Sequence, residues 1–165
     1  APDVILIIGD SVTGAELARK IREVGLTATL MGGQSWATPH LSSVGGEAVE
    51  NALYVTSVPA PQDLEAEAFI ADYQVLAGFP PGPYGAWAYD ATQALLAALE
   101  QTIHATGRPT RTGVAAQLRD LSACQGLSGP IAFDEFGNRQ HPPLYIYRLE
   151  GSVYPGRLIW HEDSP

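Results

Sequence analysis

"VILIIGDSVTGAELARKIREVGL", residues 4–26, carries two hydrophobic periods in succession. Val4 to Ile8 is a continuous apolar run too short for a helix, rich in isoleucine and closed by Gly9, which predicts a buried parallel strand. Beyond it Leu17, Ile21 and Val24 recur at helical spacing, and Gly25 supplies the stop. Thr13-Gly14-Ala15-Glu16 fits a capping box, in which the Thr13 hydroxyl accepts a free backbone N–H while Glu16 reaches back. The segment reads as strand, turn and helix.

The alternation continues downstream. Ala28 to Met31 predicts a second strand, Gly32-Gly33 a loop, Thr38-Pro39 a helix start with proline at the first helical position, and Leu53 to Val58 a third strand. Strands separated in this way by helical patterns indicate right-handed βα units around a parallel sheet, an α/β fold. Gln62 to Ala77 predicts a further helix, on which Asp63, Glu65 and Glu67 form a solvated face rather than a metal site. "GFPPGPYG", residues 78–85, then breaks the alternation and marks a boundary.

After the boundary the pattern changes. Tyr84 to Ile103 reads as a long helix with Ala88, Ala91, Leu95, Leu99 and Ile103 on one face, and Thr112 to Ala123 as another with Val114, Leu118 and Leu121. Pro130 to Phe133, a turn over residues 134–138, and the runs Leu144 to Leu149 and Val153 to Trp160 read as strands and a hairpin. Cys124 is the sole cysteine, so an internal disulfide is excluded, and it is expected to be a small helix residue.

Composition narrows the function classes. With 165 residues, 45% of them hydrophobic, the chain can build a real core. A net charge of −9 without a basic cluster argues against nucleic acid or an anionic membrane surface as the main partner. No segment reaches the roughly 18 to 20 apolar residues of a membrane span. The abrupt start, Ala1-Pro2-Asp3 leading straight into a strand, raises the expectation that the natural protein begins further upstream.

Gly9-Asp10-Ser11 after a strand is similar to the first block of the SGNH hydrolases. A nucleophilic Ser11 needs a general base and oxyanion donors. The Gly-x-Asn-Asp block and the late Asp-x-x-His of that family are absent, and none of His40, His104, His141 and His161 has an aspartate three residues ahead. The histidines also lack the spacing of a zinc site, and no glycine pattern fits a phosphate loop. No metal and no cofactor is expected.

A longer set of matches runs in one order: "PDVILIIG", "AELARKIREVGL", "TLMGGQSW", "PYGAWAYDATQALLAALEQ" and "GLSGPIAFDEFGNRQHPPLYIYRLEGSVYPG". Tyr-Asp-Ala at Tyr89 and Gly-Pro-Ile-x-Phe-Asp-x-x-Gly from Gly129 to Gly137 are the most characteristic. Together they resemble the second half of the type I periplasmic binding proteins, in particular the leucine/isoleucine/valine-type substrate-binding subunits of ABC importers. That resemblance implies two α/β lobes joined by three crossings, with a small solute held between them. It implies that residues 1–81 are the later part of the second lobe, that 82–140 form the hinge crossing and the first-lobe helices, and that 141–165 return to the second lobe. The fold would then be incomplete, and the helices after residue 82, without strands to cover, would seek a partner such as a second copy.

The resemblance also implies a non-enzymatic, extracytoplasmic protein, free in the periplasm or lipid-anchored, with a membrane permease as partner. A ligand-sensing receptor domain of the same fold is the alternative, and a Ser11 hydrolase the remote one. Ligands of open parallel sheets bind beyond the carboxyl ends of the strands. Asp10, Ser11 and Val12 after the first strand, and Gln34 and Trp36 after the second, are therefore the expected solute contacts, joined by the hinge tyrosine Tyr84. Amino-acid binders of this family tend to carry an acidic residue where this chain has Gln34. An uncharged amide cannot balance an α-ammonium, so either Asp10 or a first-lobe residue outside this chain supplies the charge, or the solute is not an α-amino acid.

Overall fold

A computed structural model describes residues 2–64, 66–121 and 124–162. In chain order the elements are β1 (Val4–Ile7), α1 (Ser11–Glu23), β2 (Thr29–Gly32), α2 (Pro39–Gly45), β3 (Leu53–Thr56), α3 (Glu67–Ala77), α4 (Gly85–Thr106), α5 (Arg111–Arg119), β4 (Cys124–Gly126), β5 (Gly129–Ile131), β6 (Leu144–Glu150) and β7 (Val153–Glu162). Short 3-10 turns occupy Gln34–Trp36, Gly46–Val49 and Pro61–Asp63. The chain divides into two compact units, residues 1–60 with 143–165, and residues 61–142.

The first unit is an α/β sheet in the order β1-β2-β3-β6-β7. Its first three strands are parallel, with Val4 beside Thr29 and Met31 beside Leu53, as the βα reading requires. The closing hairpin β6–β7 joins antiparallel at β3, placing Tyr54 beside Tyr147. These two tyrosine rings stack at 5.2 Å, and both are buried in the core. The expected burial of β1 is corrected. It is an edge strand, so only its inward residues are covered, while Leu6 and Ile8 are exposed and the strand stops at Ile7.

The buried face of α1 also differs from the expected Leu17–Ile21–Val24 stripe. Ile21 is buried with Gly14, Ala15 and Ala18, whereas Leu17 and Val24 lie exposed. Small residues win because the helix lies close to the Trp36 indole: a Cβ on Gly14 would sit 2.5 Å from Trp36 Nε1. Gly32, the last residue of β2, faces the same ring.

The second unit holds α3, α4, α5 and the two-stranded β4–β5 hairpin. The expected helix from Gln62 begins only at Glu67, after a 3-10 turn, since Ala66 has the non-helical φ of −138°. Asp63 is an exposed residue of that turn, Glu67 is an exposed residue of the helix, and Glu65 lies outside the described residues. On α4 the side chains buried within the unit are Ala86, Asp90, Ala94, Ala98 and Thr102, spaced by four. The predicted apolar stripe falls on another face, where Leu95 and Ile103 are exposed.

Close approach again selects small residues, since a Cβ on Gly113 of α5 would lie 2.6 Å from Thr102 Cγ2. Helix α5 ends at Arg119, and the expected positions 122 and 123 lie outside the described residues. Cys124 is a half-buried strand residue of β4 rather than a helical one. The turn after β5 forms as expected, with Asp134 Oδ1 accepting from the N–H groups of Phe136 and Asn138.

Candidate functional site

Two loops of the first unit leave the carboxyl ends of the parallel strands β1 and β2. In an open parallel sheet this edge is where the chain turns into helices and exposes backbone and side-chain donors. The Ser35 hydroxyl donates to the Gly9 carbonyl and so ties the two loops together.

The first loop is shorter than the sequence implied. Asp10, not Thr13, is the N-cap of α1: its Oδ1 accepts from Val12 N–H at 2.9 Å and Thr13 N–H at 3.0 Å. The predicted capping box at Thr13–Glu16 therefore gives way to an aspartate cap one turn earlier, and Ser11 is the first helical residue rather than a loop serine. The same contacts hold the Asp10 carboxyl below its ordinary pKa, the Thr13 N–H first among them. Val12 presents an exposed side chain while its N–H is spent on the cap.

The second loop is the 3-10 turn Gln34–Trp36. Gln34 Oε1 accepts from the Thr56 hydroxyl at 2.9 Å, from Ser57 N–H at 3.0 Å and from the Ser57 hydroxyl at 3.4 Å. Thr56 and Ser57 stand at the carboxyl end of β3, so all three parallel strand ends meet in this cluster. Gln34 Nε2 is buried and has no hydrogen-bond partner. Trp36 is fully buried between Gly14 and Gly32 and anchors the turn in the core, its Nε1 likewise without a partner.

Tyr84 belongs to the second unit, where it is half exposed at the N-cap position of α4 and makes no side-chain capping bond. Sequence reasoning missed Ser35, Thr56 and Ser57. The rule that selected Ser11 and Gln34 also applies to the end of β3, so Thr56 and Ser57 were within its reach.

The histidines considered as bases for Ser11 are scattered. His40 lies in the first turn of α2, its backbone N–H donating to the capping Thr38 hydroxyl, His104 lies beside Glu100 on α4, His141 is in the loop ahead of β6, and His161 stacks on Tyr145. Among the described residues no group of three His, Cys, Asp or Glu side chains is arranged to hold a metal ion. Nor is any described helix long and apolar enough to cross a membrane.

The sequence pattern of the periplasmic binding protein family matches residues 1–153. The chain belongs to that family. Its members are extracytoplasmic solute-binding proteins and not enzymes, which removes the hydrolase reading of Ser11. Within this periplasmic binding protein the type I fold of the branched-chain amino acid group is recognisable. The leucine-binding protein LivK of Thermotoga maritima is 30% identical and superposes with a TM-score of 0.83 over 98% of this chain and 45% of its own.

A Leu/Ile/Val-binding protein homolog of Brucella abortus is 28% identical over 134 residues, 81% of this chain and 35% of that protein. The substrate-binding protein LivJ of Streptococcus pneumoniae, solved with isoleucine, shares the fold at 18% identity and a TM-score of 0.76, over 99% of this chain and 45% of LivJ. The chain thus spans less than half the length of these relatives.

Proposed function

We propose that this chain supplies part of the solute-binding component of an ABC importer, and that the first unit forms one wall of its site for a small amino-acid-like or aliphatic or aromatic acid. The observation that carries the reading is the cluster at the strand ends. Ser11 opens α1, Gln34 fastens the second loop to the end of β3, and Ser35 locks the two loops together. Its relatives named for leucine, isoleucine and valine binding support a solute of that size. Asp10 and Val12 shape the first loop, Trp36 anchors the second, and Tyr84 is a further residue proposed to contact the solute.

In this reading residues 1–81 are the later part of a second lobe, 82–140 a crossing with first-lobe helices, and 141–165 the return. The protein works outside the cytoplasm, free or held by a lipid anchor, and delivers its solute to a membrane-embedded permease. Calorimetric titration of the natural gene product with aliphatic and aromatic amino acids and their deaminated acids tests it. Saturable binding at about micromolar Kd or tighter, weakened about tenfold or more by Ser11→Ala or Tyr84→Ala, is expected. No saturable binding to any member of the panel would sink the proposal.

A further inference from the structure

The three residues of the second loop fasten to three different parts of the first unit. Gln34 Oε1 accepts from the Thr56 hydroxyl and the Ser57 N–H at the end of β3. Thr56 is itself buried and accepts from Val58 N–H at 3.0 Å, so this anchor is part of the core. Trp36 is fully buried where Gly14 of α1 and Gly32 of β2 approach its ring. Ser35, between the two, donates its hydroxyl proton to the Gly9 carbonyl in the loop after β1.

Packing contributes little to the loop that receives this bond. β1 stops at Ile7, Ile8 stands 81% exposed and Gly9 carries no side chain. A planar peptide group joins the Gly9 carbonyl to the Asp10 N–H, so a bond that holds the one sets the direction of the other. Asp10 in turn caps α1 through the N–H groups of Val12 and Thr13, and Ser11 is the first residue of that helix. The Ser35 bond therefore carries the order of an anchored turn into the backbone on which Asp10 and Ser11 stand. It lies at the surface, where water replaces a lost partner, so its removal costs the whole fold little.

Resting on the reading of these loops as a solute site, we propose that Ser35 is a positioning residue for that site: without touching the solute, its hydroxyl holds the Gly9–Ser11 backbone in the geometry that binds it. The single proton of the hydroxyl is spent on Gly9. The gain is preorganisation, since a loop already fixed loses less freedom when the solute arrives.

The test is calorimetric titration of the natural gene product and its Ser35→Ala and Ser35→Thr variants with leucine, phenylalanine, 4-methyl-2-oxopentanoate and phenylpyruvate, with amide exchange measured on each protein before solute is added. Ser35→Ala should weaken the most tightly bound of the four about fivefold or more and speed exchange in the peptide covering Gly9–Val12. Ser35→Thr, which keeps a hydroxyl, should restore both. Affinity lost with exchange unchanged would mean that Ser35 touches the solute itself, and affinity kept, whatever the exchange shows, would mean that the tie does not serve binding. Either result overturns the inference while leaving solute binding intact. So does a Ser35→Thr protein that behaves like Ser35→Ala, or a Ser35→Ala chain that does not fold, since the bond would then hold the fold and not the site. No saturable binding of any of the four to the unmodified protein overturns the parent reading and this inference with it.

Discussion

A Cβ on Gly14 would lie 2.5 Å from Nε1 of Trp36, so helix α1 rests against the indole only because residue 14 has no side chain. Gly32 meets the other part of the ring system under the same condition. Gly14→Ala is expected to lower stability by about 1–3 kcal/mol through overpacking, and Gly32→Ala by at least as much, since its Cβ would meet the rigid ring of a fully buried residue. Urea unfolding followed by tryptophan fluorescence measures both. A midpoint unchanged in either variant would show that the ring relaxes freely and does not anchor the Gln34 turn.

Asp90 of α4 is 3% exposed and accepts from Leu127 N–H at 2.7 Å, Ser128 N–H at 2.9 Å and the Ser128 hydroxyl at 2.6 Å. Arg139 reaches the same turn, donating to the Ser128 hydroxyl and carbonyl. The Tyr89-Asp90-Ala91 motif thus lies in the second turn of α4, and its carboxylate holds the β4–β5 turn. Asp90→Ala strands these donors, at about 1–3 kcal/mol for each that stays buried. Denaturant unfolding should register the loss, and amide exchange should rise at Leu127 and Ser128 before it rises in α1.

The Asp10 cap makes part of the stability of α1 depend on pH. Its folded pKa lies below the ordinary aspartate value of about 3.9, so the contribution is present above that value and is lost as pH falls through the folded pKa. Asp10→Asn removes the titration while keeping an oxygen acceptor. The gap in thermal midpoint between the original protein and Asp10→Asn should therefore be widest near neutrality and close as pH falls through the folded pKa. A gap that stays constant over this range would mean that the carboxylate charge does not contribute to the cap.

Leu95, Leu96 and Leu99 of α4 and Val114 and Leu118 of α5 line an apolar groove on the second unit, and Leu96 is 51% exposed. The isolated 165-residue chain is expected to self-associate through this face. Sedimentation velocity should show a concentration-dependent shift that Leu96→Glu reduces. A monomer at all concentrations would leave the groove without that role.

Hydrophobic period was enough to place the strands and helices of the first unit, because short apolar runs between Gly and Pro breaks have one solution in a parallel sheet. It misjudged which faces are covered. On α1 and α4 the buried residues other than Ile21 are Gly, Ala, Asp and Thr, chosen by how closely the neighbouring element approaches, while larger apolar residues such as Leu17 and Leu95 stand outside. Nothing in a single sequence records that distance. The cap was misplaced because Asp10 and Thr13 both suit the position, and the helix takes the earlier one. The positions of Ser11 and Gln34 just after β1 and β2 were legible. The lock that orients Gln34 was not, since it depends on Thr56 and Ser57, 22 and 23 residues away in the chain.

Hydrogen–deuterium exchange of the natural gene product, with and without a saturating solute identified by titration, tests the placement of the site most directly. The account predicts slowed exchange in peptides covering Gly9–Gly14 and Gly33–Ala37, at the carboxyl ends of β1 and β2, and at Ser57 N–H, which Gln34 holds. Protection confined to other segments, such as the α4–α5 groove around Leu96 and Leu118, with these two loops unchanged, would contradict it.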